Sequence, residues 1–447
     1  MDYQTHRDEL LDEALVRNEL RTASELLQSM SAHEVVQIIE RSSPKRGAII
    51  FRLLSKMRAL QVFEELAPAM QGELLHGLRD DEVASFFGEL QPDDRAGLID
   101  ELPAIVAQRA LRGLSEHQRA MTTMVLGYPA KSVGRRMSPE YVRTHPEFTV
   151  DETLAIVRGQ AADAETIYTI PVTDHAKVLV GVVSLRDLLK SDPGTVVADI
   201  MQPPVSVQAD SSVEAAARLC TDLDLIALLI VDSEDRLLGI LTFDDANQVL
   251  RDAEAEDTAR AGASEPLGRP YLTTSVFLIA RSRVVWLLVL AVSALLTVQV
   301  LEIFEATLEQ MVVLALFIPL LTGTGGNTGT QAATTITRAL AVGEVRASDV
   351  GKVLFREVRV GAMLGLLLGS LGFVLASLFY DMPTGIVIGT TLFCVCAMAA
   401  TVGGAMPLLA KAMRVDPAVF STPFITTFCD ATGLLIYFTI ARAVLGL

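Results

Sequence analysis

A chain of 447 residues that is 51% hydrophobic and 20% charged is too apolar on average for a soluble enzyme, and its charges must be concentrated in one part. Residues 283–447 carry nine acids and nine bases, so the whole formal excess of 17 negative charges lies in residues 1–282. An acidic half of this kind disfavours nucleic acid and anionic lipid as partners and favours cations.

From Glu19 to Arg119 apolar residues recur at three and four, in short segments separated by Pro44, Pro68, Gly88, Pro92 and Pro103. This pattern predicts an all-α, right-handed stack of short helices over residues 1–128. The acidic pairs Asp80-Asp81 and Asp93-Asp94 suit helix caps, with divalent-cation ligation as the alternative. No signal peptide precedes the acidic stretch from Met1 to Glu13, so the N-terminus is expected in the cytoplasm. From Met137 short β-branched runs alternate with helical ones in two copies. One runs from Met137-Ser138-Pro139 to Gly181 and Asp187, the other from Met201-Gln202-Pro203 to Gly239 and Asp245. Each resembles a CBS motif, a βαββα unit that pairs with its copy into an α/β regulatory module; they are placed at residues 129–200 and 201–250. The helical pattern through Asp252, Glu254, Glu256 and Asp257 makes 251–282 a connecting, plug-like helix.

Uncharged stretches run from Val284 to Leu301, Met311 to Thr337, Val360 to Tyr380 and Met382 to Ala410, and a fifth apolar stretch, Pro417 to Ala441, carries the single charge of Asp430. As helices rising about 1.5 Å per residue, each is long enough for about 30 Å of hydrocarbon, which gives a five-helix transmembrane domain over residues 283–447. Bases cluster at Arg281 and Arg283, at Arg338 to Arg359, and at Lys411 and Arg414, whereas the loops at Glu302 to Gln310 and around Asp381 have none. The positive-inside rule then places this multi-pass protein in the cell (inner) membrane with its N-terminus cytoplasmic and its C-terminus, beyond Arg442, outside.

The third span carries Gly361, Gly365 and Gly369, a repeat that admits another helix closely. In the second span Pro319 and the run Gly323-Thr324-Gly325-Gly326-Asn327-Thr328-Gly329-Thr330-Gln331 predict an interrupted helix beside a water-filled cavity. The alternative is tight glycine packing with Asn327 and Gln331 bonded to a neighbour. In the fifth span Asp430 is the sole acid after Asp416, and no Lys or Arg lies within a span to pair with it. A carboxylate at that depth is costly unless it meets water, a cation or a base, so a cation path is favoured over a protonated aspartate. Thr422 and Thr426, eight and four residues earlier, share its helix face. The ligands on offer are hard oxygens, which suit Mg²⁺, Ca²⁺ or Mn²⁺, and one carboxylate per chain suits a hydrated Mg²⁺ shared by two chains. Glu302, Glu305 and Glu309 either concentrate cations at the outer mouth or form a solvated loop. Cys220, Cys394, Cys396 and Cys429 lack zinc-like spacing and read as reduced core residues.

Pro319 through Gln331, with Asp430-Ala431-Thr432-Gly433-Leu434-Leu435-Ile436-Tyr437 downstream, resembles the MgtE family of magnesium channels. The resemblance covers nearly the whole chain in the order N domain, CBS pair, connecting helix, five spans. It implies a homodimer that imports Mg²⁺ through a pore between the second and fifth spans. Asp430 would hold the hydrated ion, with Asn327, Gly325 and Gly326 beside it and Thr426 and Thr422 on the same path. It also implies that cytosolic Mg²⁺ binds the acidic domains and closes the gate through the connecting helix. Asp93, Glu214, Asp224, Asp245 and Glu256 match sensor positions, but Gln61, Gly97 and Gln248 stand where the family has acids, which implies weaker or differently tuned closure. Nucleotide binding by the CBS pair is doubtful, because Thr169 and Leu225 offer no ring for a base to stack on. Thr422 replaces an expected amide, which leaves the choice among Mg²⁺, Mn²⁺ and Co²⁺ open. Two rival readings are a cation-coupled secondary transporter of divalent metals with Asp430 as carrier site, and a CBS-type membrane sensor whose spans only anchor it. No nucleophile with a base, P-loop or zinc motif supports an enzyme.

Overall fold

Proline at the first helical position and reciprocal serine or threonine caps divide the N-terminal segment as the spacing predicts. The computed structural model describes residues 3–66, 68–76, 86–102, 104–413 and 422–446. Among them the helices before the first strand are α1 Tyr3–Val16, α2 Leu20–Ser29, α3 Ala32–Arg41, α4 Pro44–Arg52, α5 Lys56–Glu65, α6 Pro68–His76, α7 Pro92–Glu101, α8 Ala104–Gly113 and α9 Glu116–Leu126. Capping boxes at Ser31/Glu34 and Ser115/Gln118 satisfy two orphan N–H groups each, and Pro44 and Pro92 start helices where no donor is needed. A continuous core through Leu27, Ile39, Val62, Phe63, Leu75, Phe87 and Leu98 holds these short helices together. Asp80-Asp81 lies outside the described residues.

Arg95 is the polar anchor of this stack, only 3% exposed. It donates to the carbonyls of Phe87 at 3.1 Å and Gly88 at 3.3 Å, and to Thr122 Oγ1 at 3.3 Å, tying α7 to α9. A buried guanidinium is tolerated only when its donors are met in this way.

The α/β part consists of α10 Val150–Gln160, β1 Thr169–Thr173, β2 Leu179–Ser184, α11 Leu185–Lys190, β3 Ser206–Gln208, α12 Val213–Asp222, β4 Ala227–Val231 and β5 Leu237–Thr242. β1 and β2 are antiparallel; β3 runs parallel to β4, which is antiparallel to β5. The two copies interlock. Ser138, at the head of the first, bridges Ile240 in β5, and Gln202, at the head of the second, bridges Val182 in β2. A Cβ at Gly181 would lie 2.7 Å from Met201 Sδ, and one at Gly239 would lie 2.7 Å from the Ser138 carbonyl and 3.1 Å from Met137 Sδ. Each copy's leading methionine thus packs on the other copy's glycine, the physical reason why the motifs fold as a pair.

By internal contacts the chain divides into one unit of residues 1–254 with 267–274 and a second of residues 255–266 with 275–447. The connecting helix expected over 251–282 runs instead as α13, Phe243–Ala261. Ala263 at φ +50° and Gly268 at φ +58° take left-handed conformations that end it, and Pro266 and Pro270 prevent its continuation.

The second unit holds α14 Val276–Ile303, short α15 Glu305–Gln310, α16 Val313–Ala341, α17 Val350–Phe379, α18 Met382–Ala412 and α19 Thr422–Leu445. Four of these, α14, α17, α18 and α19, are long and apolar enough to cross a membrane by length and composition. The fifth long helix, α16, is the one diluted by glycine, threonine and amide residues. The predicted close approach is present: a Cβ at Gly361, Gly365 or Gly369 of α17 would lie 2.6–2.7 Å from a backbone carbonyl of α18. The expected interruption of the second span is corrected, since α16 is helical throughout with Pro319 inside it. The hydroxyls of Thr322, Thr324, Thr328 and Thr335 each donate to the carbonyl four residues back, at 2.7–3.0 Å, and the glycines serve close packing.

Replacing Arg95 by Leu takes the side-chain donor from the Phe87 carbonyl and leaves Gly88 with that of Gln118 Nε2 at 2.6 Å alone. The first unit should lose about 3 kcal/mol of stability, read as a lower urea midpoint with an unchanged slope.

Candidate functional site

In the first unit, seven carboxylates from distant parts of the sequence share one pocket, Glu65 and Asp244 among them. Its lining includes Glu64 of α5, Asp93 and Asp94 in the first turn of α7, Glu165, and Asp245 at the start of α13, around a cavity of about 550 Å³. Asp93 is 5% exposed. Asp93 Oδ1 and Glu165 Oε2 are buried and accept no hydrogen bond. The Thr242 hydroxyl donates to Asp245 Oδ2. Such crowding shows in proton affinity. Glu64 and Asp94 are pushed up to about 7 and Glu165 to about 8, each chiefly by burial and then by neighbouring carboxylates. Asp93 is held well above, and Asp245 above, the ordinary range, burial again being the first cause.

Two bases, Arg136 and Arg251, stand in the lining among these acids. Arg136 lines the same pocket, and its charge opposes the upward shifts of Asp94 and Asp245. Gly97 makes room for it, since a Cβ there would stand 3.3 Å from Arg136 Nη1. Gln61 and Gln248 line the pocket as well. The three neutral positions singled out in the sequence therefore converge on a single place.

The other acids named from sequence lie elsewhere. Glu214 accepts from Arg218 one turn along α12 at 2.7 Å. Asp224, at φ +50°, lines a separate cleft of about 280 Å³ together with Tyr168, Thr169, Asp187 and Leu225. Glu256 belongs to the second unit and pairs with Arg260. The structure thus brings together Asp93 and Asp245 but not Glu214 or Asp224. Sequence reasoning passed over Glu64, Glu165 and Arg136, which carry no motif, and Tyr168, the ring beside Thr169.

In the second unit, α16 and α19 run antiparallel, with the Tyr437 hydroxyl donating to the Leu314 carbonyl at 3.0 Å. The glycines of α16 set the contact. A Cβ at Gly326 would lie 3.1 Å from Thr426 Cγ2, one at Gly325 2.8 Å from Val395 Cγ1, and one at Gly329 3.0 Å from Cys429 Sγ. This register puts Asp430 at the level of Gly325 and Gly326, with Thr426 one turn before it. Asp430 is half-buried, and among the described residues nothing hydrogen-bonds or pairs with its carboxylate. The next base along α19, Arg442, is about 18 Å further by helix rise and is engaged with Thr307 Oγ1 at 3.0 Å and the Phe304 ring. Gly323, Asn327 and Gln331, four residues apart, form an exposed strip on α16. Thr422 opens α19, and its side chain lies outside the described residues. Glu357 of α17, an acid hidden in a row of bases and passed over in the sequence, lines a cavity of about 330 Å³ with Thr328, Gln331, Thr335 and Arg356.

Comparison with known proteins adds to this geometry. The model of the MgtE divalent cation transporter matches residues 318–440, that of the MgtE intracellular N domain residues 7–131, and that of the CBS domain residues 130–194 and 197–252. The magnesium transporter MgtE of Thermus thermophilus is 37% identical over 97% of this chain and 98% of its own. The chain belongs to the MgtE family of magnesium transporters. The MgtE of Bacillus subtilis is 28% identical over 95% of this chain and 94% of its own. A crystal structure of the cytosolic domain of the Mg²⁺ channel MgtE in complex with ATP matches with a TM-score of 0.51 at 36% identity, covering 54% of this chain and 98% of that one. The soluble part of a magnesium transporter matches at 0.50 and 28%, covering 56% and 100%. The chain is accordingly a multidomain membrane protein with a helical N domain, a CBS pair and a helical membrane body.

The acidic pocket makes stability depend on pH in a definite direction. Its carboxyls bind protons more tightly folded than unfolded, so their ionisation penalises the fold as pH rises from about 4 to about 8. Without divalent ions the melting temperature of the first unit should fall between about pH 5 and pH 8. Added Mg²⁺ should restore more of it at pH 8 than at pH 5.

Proposed function

We propose that the chain is a Mg²⁺-selective channel that imports magnesium into the cytoplasm through a homodimeric pore. Asp430 holds a hydrated Mg²⁺ there, beside Gly325, Gly326, Asn327, Thr426 and Thr422. The observation that carries this reading is the Asp430 carboxylate, half-buried between packed helices with no base paired to it among the described residues. Two such groups across a twofold axis supply the one or two carboxylates that Mg²⁺ takes while keeping most of its waters. The exposed amide strip of α16 supports a shared, wet axis, because lipid does not satisfy Asn327 or Gln331.

The acidic pocket is the cytosolic sensor in this reading. Mg²⁺ bound at Asp93 and Asp245, with Glu64, Asp94 and Glu165 around them, neutralises their repulsion and favours the closed gate. Loss of the ion restores the repulsion and favours opening. Glu214, Asp224 and Glu256 complete the set that the family pattern suggests. Arg136, with Gln61, Gly97 and Gln248 nearby, reduces the charge that Mg²⁺ must neutralise, which supports a closure tuned differently from that of a fully acidic sensor. Tyr168 makes a nucleotide a candidate occupant of the cleft between the CBS copies.

Asp430→Ala should abolish rescue of a magnesium-dependent strain and lower Mg²⁺ flux at least about tenfold, in keeping with loss of the main charge on the path. Wild-type single-channel currents are expected, and saturating flux driven by a pH gradient would support the carrier instead. Unchanged flux in Asp430→Ala would support the anchored sensor. Arg136→Gln should enlarge the thermal shift produced by Mg²⁺ and raise open probability in Mg²⁺-free solution, whereas a purely structural Arg136 would lower stability equally with and without the ion.

A further inference from the structure

The first CBS copy carries a cluster of different chemistry. His145, Glu147 and His175 each offer one ligand atom, and these atoms lie within 4.8 Å of one another. His175 Nε2 stands 3.1 Å from Glu147 Oε1, close to the spacing of two ligands on one tetrahedral ion with bonds of about 2 Å. The two imidazole rings are 5.1 Å apart. His145 Nδ1 lies 2.8 Å from the Thr173 carbonyl. An Nδ1–H donated to that oxygen leaves the lone pair on Nε2, the arrangement by which metal-binding histidines are oriented.

The backbone holds all three residues in place. A parallel bridge lays the segment before His145 along β1: Thr144 N donates to the Pro171 carbonyl at 3.0 Å, and Thr173 N to the Thr144 carbonyl at 3.0 Å. Phe148 N donates to the His145 carbonyl at 3.2 Å, closing the turn that presents Glu147. Asp174 Oδ1 accepts from the N–H groups of Ala176 and Val178, both at 2.8 Å, which pins the β1–β2 turn around His175. Binding an ion would therefore need little further ordering of the backbone.

The geometry points to a surface site for a transition-metal dication of the zinc class, Zn²⁺, Co²⁺ or Ni²⁺, held by His145, Glu147 and His175 with water completing the shell. Two imidazoles select such ions over Mg²⁺, which takes oxygen ligands. The site is therefore chemically separate from the acidic pocket and from Asp430. A cytosolic module that reads a hard cation on one set of carboxylates would carry a receptor for a softer one on another surface.

The test is a Co²⁺ titration of the full-length protein in detergent, followed by visible absorbance in excess Mg²⁺. A ligand-field band that Zn²⁺ removes and Mg²⁺ does not is expected. In His145→Ala, His175→Ala and the double variant the apparent affinity should fall about tenfold or more. His175 is 85% exposed in its side chain, so its removal should leave the fold intact, as an unchanged Mg²⁺-dependent thermal shift would verify. Identical titrations of wild type and double variant, displacement of Co²⁺ by Mg²⁺, or no band at all would overturn the assignment.

Discussion

Carboxylates withdrawn from water in excess of the bases that could pair with them are the constraint on which both units turn. Removing an ionised carboxyl from water costs several kcal/mol even after relaxation, and neighbouring carboxyls add to the cost. The first unit concentrates that cost at Asp93, Glu165 and Asp245, the second at Asp430. A protein of ordinary composition would place a lysine or arginine at each point. The pocket lining holds two, Arg136 and Arg251, against seven carboxylates, and leaves the remaining charge to be met by protons or by ions from solution. A proton neutralises a single group, whereas a divalent ion can bridge two. In the proposed sensor, cation occupancy is thereby coupled to how closely the contributing elements, α5, α7 and α13, are held together.

Much of the architecture was legible because it rests on local signals. Uncharged length gave the spans, proline and cap residues the short helices, and repeated Met-x-Pro phrases the paired motifs. What was not legible is what depends on residues far apart. Nothing near Asp93 announces Asp245 about 150 residues later, and Glu64, Glu165 and Arg136 have neighbours of no special pattern. The acidic positions carried over from the family resemblance included Asp93 and Asp245, which meet, and Glu214 and Asp224, which lie elsewhere.

The glycine-rich run of α16 was read with the correct chemistry and the wrong backbone. Glycine and proline within a span lower helix propensity by about 1 and 3 kcal/mol in water, and from sequence alone an interruption follows. In the folded unit those positions are where α18 and α19 come nearest, so the loss of side chains is offset by contact, and threonine hydroxyls supply donors to nearby carbonyls. Glu357 was missed for the opposite reason: surrounded by Lys352, Arg356 and Arg359, it reads as one more charge at a helix end until the fold sets it beside Gly404 and Gln331.

Continuity of α16 changes what the polar residues on it can be for. In a broken helix, free backbone carbonyls would line the path, and side chains would be incidental. In an intact helix the carbonyls are occupied, so any ligand must come from side chains: Asn327 and Gln331 on one face, and Asp430 and Thr426 of α19 at the same level. Those amides lie exposed on a single chain, and hydrocarbon cannot meet their hydrogen-bonding demand. In the proposed dimer one arrangement answers both needs, because a second copy facing the strip encloses a wet seam in which amides and carboxylates meet water and a hydrated ion. Assembly and permeation then share one cause, and a substitution that makes the strip apolar should weaken both together.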